Sequence, residues 1–288
     1  MSTVVGTISE IWRFPFKSMA GELMDAAQVR DDGIVGDRGW AVRDERAGEI
    51  RGAKKLPKLM LCSARYLDEP DGARIPHVRI ELPDGEAMTT DDPNVAARLS
   101  EFLGRAVSVW PRRPASDREH YRRAAPDNPD FETEMRDIFG RRPDEPLPDL
   151  TVFPQELFEF TSPLGTYFDA FPIHVLTTAS LARLSELNPA AAFDRRRFRA
   201  NVLIDSAAFP SGFIENEWRG RTIEVGQAAF RCEVPTVRCS MTTQEQEGLP
   251  KDPSVLRTIV RDADQNVGVY ASVTRAGRVE IGDEVRLV

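Results

Sequence analysis

The stretch Thr222–Thr243, TIEVGQAAFRCEVPTVRCSMTT, decides how this chain is read. Thr222–Val225 and Ala228–Val234 are short and rich in β-branched and apolar residues, the composition that fits a pleated, half-buried surface. The strand signal then gives way to Arg238, Cys239 and a run of hydroxyls, so a thiol sits where regular structure ends. Further short strand candidates surround this segment: Asn201–Ile204, Gly268–Val273, Arg278–Ile281 and Glu284–Val288. Ile173–Leu176 reads as a buried strand. It leads into Thr177 and Thr178 as a helix N-cap, and into a helix with Leu181, Leu184 and Leu187 at helical spacing. Many short strands with few helices predict an α+β, mainly β chain built on partly closed barrels.

The N-terminal part has the same character. Val4–Phe14, Leu59–Tyr66 and His77–Leu82 read as strands, and Gly39–Val42 with Glu49–Arg51 as a hairpin about residues 45–48. Pro93–Leu103, closed by Gly104, reads as a helix. Residues 111–150 break the pattern: seven of the chain's 21 prolines fall there among charge runs. So few apolar residues predict a surface excursion or connection, with a short helix at Phe131–Phe139. The expected division is 1–110, 111–150 and 151–288.

At 288 residues the chain can bury real cores, and its net charge of -8 supplies no overall attraction to nucleic acid or anionic lipid. Three cysteines, Cys62, Cys232 and Cys239, are too few for a standard iron–sulfur cluster or a Cys₄ zinc site. Their sparse, odd set fits a reducing compartment, no stretch approaches the ~18 apolar residues of a membrane span, and no secretory signal is evident. The expectation is a soluble cytoplasmic protein with no membrane or nucleic-acid partner. P-loop, GxGxxG, HExxH and GxSxG patterns are missing, and His77, His120 and His174 are too scattered to suggest a metal site. His120, in the polar excursion, reads as solvated and His174 as a packing histidine.

Four features remain. Cys239 stands beside Arg238, and an adjacent guanidinium favours the thiolate that serves as nucleophile or metal ligand; by residue type alone a cysteine near a strand end is more often a small buried hydrophobe. Arg195–Arg197 reads as a solvated charged loop, whereas Arg199 and Asn201 alternate into a strand and can offer a guanidinium and an amide together. Lys17-Ser18 follows an aromatic-rich strand, and Asp37-Arg38 follows a glycine-rich turn. Together they suit a ligand with an anionic group, a hydrogen-bonding heterocycle and a thiophilic centre.

The order IWRFPFKSMAG, GDRGW, TTASL, RFRANV, VPTVRCSMTT, VGVYASV and RVEIGDEVRLV resembles the MOSC family, in the branch with an N-terminal MOSC β-barrel domain that includes the amidoxime-reducing components. The resemblance implies an N-terminal barrel-like domain followed by a MOSC barrel, and a molybdenum cofactor (molybdopterin). It implies Cys239 as the metal ligand and catalytic residue. It implies Lys17, Ser18, Arg38, Thr177, Thr178, Arg199, Asn201, Arg238 and Tyr270 as cofactor-binding. Val237 stands where relatives often carry Ser. The implied activity is reduction of small N-hydroxylated or N-oxygenated substrates. With no iron–sulfur cluster of its own, the chain is expected to take electrons from a separate donor protein. Two other readings stay open: a persulfide sulfur carrier on Cys239, and a non-catalytic binder or carrier of the cofactor.

Overall fold

The computed structural model describes residues 2–72 and 74–288. Its centre is a closed seven-stranded barrel, whose strands are numbered β1 (Thr3–Arg13), β2 (Ile173–Thr177), β3 (Val202–Asp205), β4 (Thr222–Val225), β5 (Ala228–Val237), β6 (Asn266–Arg275) and β7 (Glu284–Leu287). The spatial order is β3-β2-β6-β5-β4-β7-β1, and antiparallel pairing of β1 with β3 closes the ring. Only β2 and β3 run parallel, joined through a crossover that contains a helix. Closure leaves these strands no free edge, and the first strand of the chain is what achieves it. A side chain could not stand at Gly6 in β1: with φ at +146°, a Cβ there would lie 2.2 Å from the Asp205 carbonyl oxygen of β3.

The barrel interior is filled by fully buried Ile8, Ile11, Val175, Ile204, Phe230 and Val269. A separate core, including Phe16, Met19, Leu59, Ile80 and Leu99, lies beneath two small antiparallel sheets of the N-terminal part and helix α1 (Val95–Leu103). Five more α-helices are present among the described residues: α2 (Arg118–Tyr121), α3 (Phe131–Phe139), α4 (Glu156–Glu159), α5 (Thr178–Leu187) and α6 (Pro253–Asp262). Helices α5 and α6 cover one outer face of the barrel through Leu176, Leu184, Val255 and Ile259.

Where the sequence predicts a single strand over Leu59–Tyr66, the structure has a 3-10 turn at Pro57–Leu61 and a strand at Ser63–Tyr66. Pro57 sits in the first turn, where its fixed φ and missing N–H are tolerated. Helix α3 forms over the expected residues, capped by the Asp130 carboxylate, which accepts from Thr133 N, and stopped by Gly140 in the left-handed conformation. His120, expected to be solvated, is instead half-buried against Trp110, Tyr121 and Tyr167, with Nε2 2.7 Å from the Tyr167 hydroxyl. No helix of the described residues is long and apolar enough to cross a membrane.

Candidate functional site

The features picked out along the sequence converge on one cavity of ≈ 610 Å³, lined by Lys17, Ser18, Arg38, Arg199, Asn201, Arg238, Cys239 and Tyr270 among others. Backbone strain concentrates there. Among the described residues the non-glycine positions with positive φ are Ser18, Arg38, Arg199, Asp264 and Gln265, and the first three line the cavity. Such conformations cost free energy and persist where their surroundings over-determine them, as at binding sites.

The surroundings here are explicit. The Asp37 carboxylate accepts from Phe14 N at 2.7 Å and from Asn201 Nδ2 at 3.1 Å, and pairs with Arg38. Arg38 N donates to Phe14 O at 2.6 Å, pinning the glycine-rich turn to the end of β1. Asn201 also donates to Trp12 O and accepts from His174 N, so its amide is committed within the protein. It braces Asp37 and His174, and the pairing of guanidinium and amide expected from strand alternation does not form: Arg199 turns through a left-handed φ before β3 begins.

Cys239 lies two residues beyond the end of β5 and is the N-cap of a short 3-10 turn, Ser240–Thr243. Three elements lock this loop. Arg197, expected in a solvated loop, is fully buried and donates to the carbonyls of Thr242, Gln244 and Pro250. Arg141, from the proline-rich excursion, donates through Nη2 to Arg238 O at 2.9 Å. Ser240 Oγ donates to Ile138 O at 3.2 Å, tying the loop to α3. Cys239 is partly accessible, whereas Cys62 and Cys232 are buried and desolvation pushes each thiol up to about 12.

The cavity holds cations without enough partners. Arg199 donates Nη1 to Met19 O and stacks 4.2 Å over the Phe14 ring, but its buried Nη2 is unpaired; Arg238 Nε is likewise buried and unpaired. Burial, then the nearby Arg38, pushes Arg199 down to about 9, and burial lowers Arg238. A buried guanidinium with a free N–H and a disfavoured charge calls for an anionic or hydrogen-bond-accepting ligand.

Two residues that sequence reading did not select complete the charge cluster. Asp169 accepts from Lys17 Nζ at 3.1 Å and lies 3.5 Å from Lys54 Nζ. Burial opposes its ionisation, yet Lys54 and Lys17 hold its carboxyl well below the usual range. Burial lowers Lys17 despite this partner, whereas Asp169 raises Lys54. His174, read as a packing residue, is buried but lines the cavity 5.4 Å from the Tyr270 ring and 3.5 Å from Arg238 Nη1. Burial and then Arg238 keep it well below its ordinary value, hence neutral. Gly268 makes room for it: a Cβ there, at φ +84°, would be 2.3 Å from His174 Nε2.

Thr177 and Thr178 do not join this group. Thr177 Oγ1 donates to buried Glu215 at 2.7 Å and accepts from Ser180 N as the cap of α5, while Thr178 Oγ1 accepts from Ser206 N. The Thr177 hydroxyl meets the needs of a helix start, which is the other use this sequence pattern has, and the Thr178 hydroxyl ties that start to the residue after β3.

Residues 5–113 match the MOSC N-terminal beta barrel domain, and residues 165–286 match the MOSC domain. This chain belongs to the MOSC family. Mitochondrial amidoxime reducing component 2 from Bos taurus is 25% identical over 98% of this chain and 83% of its own length. The Homo sapiens protein of the same name gives the same figures. The solved structure of the YUAD protein from Bacillus subtilis superposes with a TM-score of 0.47 at 14% identity, covering 100% of this chain and 97% of that one. The MOSC family is one of molybdenum cofactor-binding domains. The donor set in the cavity fits such a group. One partly accessible thiol suits a thiophilic metal, and unpaired buried guanidinium N–H groups suit the acceptors of a pterin or phosphate. Among the described residues no cluster of three or more His, Cys, Asp or Glu side chains could hold a metal.

Proposed function

We propose that this MOSC protein is a molybdenum cofactor-dependent reductase of small N-hydroxylated or N-oxygenated compounds, supplied with electrons by a separate protein. At family level the comparisons support a molybdenum cofactor-binding reductase or carrier. The observation that carries the finer reading is the convergence of Cys239 with buried cations whose donors, Arg199 Nη2 and Arg238 Nε, have no partner in the protein.

Cys239 would be the protein ligand of the metal, held by Arg197 and Arg141 acting on the backbone around it. Lys17, Ser18, Arg38, Arg199 and Arg238 would hold the cofactor's anionic and hydrogen-bonding edges, with Tyr270 against them. When bound, the cofactor supplies removal of the substrate's oxygen with two-electron redox chemistry. Lys54 and Asp169 set the local charge: together with Lys17 they form a cluster of two cations and one anion, so the pocket keeps a positive surplus for an anionic ligand. His174 stays neutral and accepts toward Arg238, orienting that guanidinium.

The test is turnover. Protein purified with its cofactor is given an artificial low-potential electron donor and an N-hydroxylated amidine, and formation of the amidine is followed. Product formation that requires Cys239 supports the reductase. A loaded protein that instead hands its cofactor intact to an acceptor enzyme would be a carrier, and sulfane sulfur on Cys239 without turnover would mark a sulfur carrier.

A further inference from the structure

The same cavity is also lined by Phe131, Met135, Ile138, Leu150, Phe153 and Phe171. The first three fall at i, i+4 and i+7 of α3 and so share one helix face. None of the six belongs to the hydrophobic cores formed by the described residues. At the rim Phe131 is 63% exposed and Phe158, another lining residue, is 53% exposed. A helix whose apolar face meets a cavity instead of a core leaves that surface for a ligand to cover. The cavity volume of ≈ 610 Å³ lies within the ~300–1,000 Å³ common for small-molecule sites.

An aromatic series links this wall to the thiol end. The ring centroids of Phe153 and Phe171 are 6.5 Å apart, those of Phe171 and Tyr270 5.8 Å, and those of Tyr270 and His174 5.4 Å. His174 in turn meets Arg238, next to Cys239. Apolar substrate surface can thus stay in contact with aromatic faces while its polar end reaches the metal ligand.

We propose that the wall formed by α3, Leu150, Phe153 and Phe171 receives the nitrogen-bearing group's substituent, so that the protein selects N-oxygenated compounds carrying a planar aromatic or bulky alkyl group over small hydrophilic ones. This inference rests on the reductase reading for the reacting group, but the apolar selectivity is a property of the wall itself. Phe153 and Phe171 are its specificity-determining residues.

The experiment compares two N-hydroxylated amidines that differ only in a phenyl or a methyl substituent. Both kcat/KM with an artificial electron donor and calorimetric affinity are measured on the cofactor-loaded protein. The phenyl compound should be favoured on the order of 10- to 100-fold in both readouts, as expected for burying one aromatic side chain's worth of apolar surface. Phe153→Ala and the milder Phe171→Leu should each move the ratio toward unity, with molybdenum content and circular dichroism showing that the protein remains loaded and folded. Equal treatment of the two compounds by a turning-over wild type would overturn the inference and leave the reductase standing. So would a phenyl preference that both folded variants keep. A phenyl preference in binding that Phe153→Ala removes, with no turnover of either compound, would uphold the wall and overturn the reductase.

Discussion

The two sides of the cavity are built in opposite ways. The cationic side is drawn from residues far apart in sequence, Lys17, Arg38, Arg199 and Arg238, each anchored by a hydrogen bond to a backbone carbonyl, those of Tyr167, Phe14, Met19 and Phe198 respectively. The apolar side comes from one stretch of helix and nearby loops, with no core of its own behind it. On the first side the fold holds polar groups at the expense of their own hydration. On the second it leaves apolar groups uncovered. Each is unfavourable to the free protein; an anionic cofactor would relieve the first and the apolar substituent of a substrate the second.

Substitutions can break this contrast. The largest effect belongs to the thiols. Cys239→Ala should abolish turnover of an N-hydroxylated amidine. Cys62→Ala and Cys232→Ala, which remove buried thiols held near a value of about 12, should keep it apart from packing losses. Equal loss in all three would leave Cys239 with no special role.

Next comes Arg199. Exchange for methionine removes a buried charge and its unpaired Nη2 while keeping apolar volume over Phe14. The cofactor-free protein should change in stability by no more than about 1 kcal/mol, because removing an uncompensated buried charge offsets the lost hydrogen bond. Cofactor retention on gel filtration should nonetheless fall by an order of magnitude or more, as loss of a charge-assisted contact requires. Unchanged molybdenum content would remove Arg199 from the binding set.

Ile11 and Ile138 test the apolar side. Ile11 is fully buried in the barrel, so Ile11→Ala should cost about 2–5 kcal/mol in urea denaturation. Ile138 faces the cavity and is half-buried, so Ile138→Ala should cost less than about 1 kcal/mol. A similar cost at both positions would mean that α3 packs as a core helix.

The smallest effect is on pH dependence. Because the Asp169 carboxyl is held well below its ordinary 3.8, its contribution to stability is fully present above that value and is lost as the pH falls below it. Asp169→Asn should therefore be less stable than wild type at neutral pH, with the gap closing in acid. Since the side chain is 40% accessible, the gap should be modest. A gap that persists at the acid end would place the effect in packing.

Much of this was legible in the sequence. Short runs rich in β-branched and apolar residues pointed to most strands, the helix expected at Phe131–Phe139 is α3, and residue chemistry picked out Cys239, Arg238, Arg199, Lys17 and Arg38. What sequence lacked was tertiary partnership. Lys54 and Asp169 are ordinary surface residue types until the fold sets them beside Lys17. Arg197 sits in a charge run, and only the folded loop shows its guanidinium buried among carbonyls. Thr177 and Thr178 fit both an N-cap and a phosphate contact; the backbone of α5 claims Thr177, and Ser206, just after β3, claims Thr178. The prolines and charges of residues 111–150 masked the apolar face of α3, whose few large side chains line the cavity rather than a core.

The most direct measurement is molybdenum and pterin content in protein purified from a cofactor-competent host, wild type beside Cys239→Ala. Near-stoichiometric metal and pterin in the wild type, with the metal lost or made labile in the variant, is the predicted result. Well-folded wild type that carries neither metal nor pterin under those conditions would contradict the account at its centre.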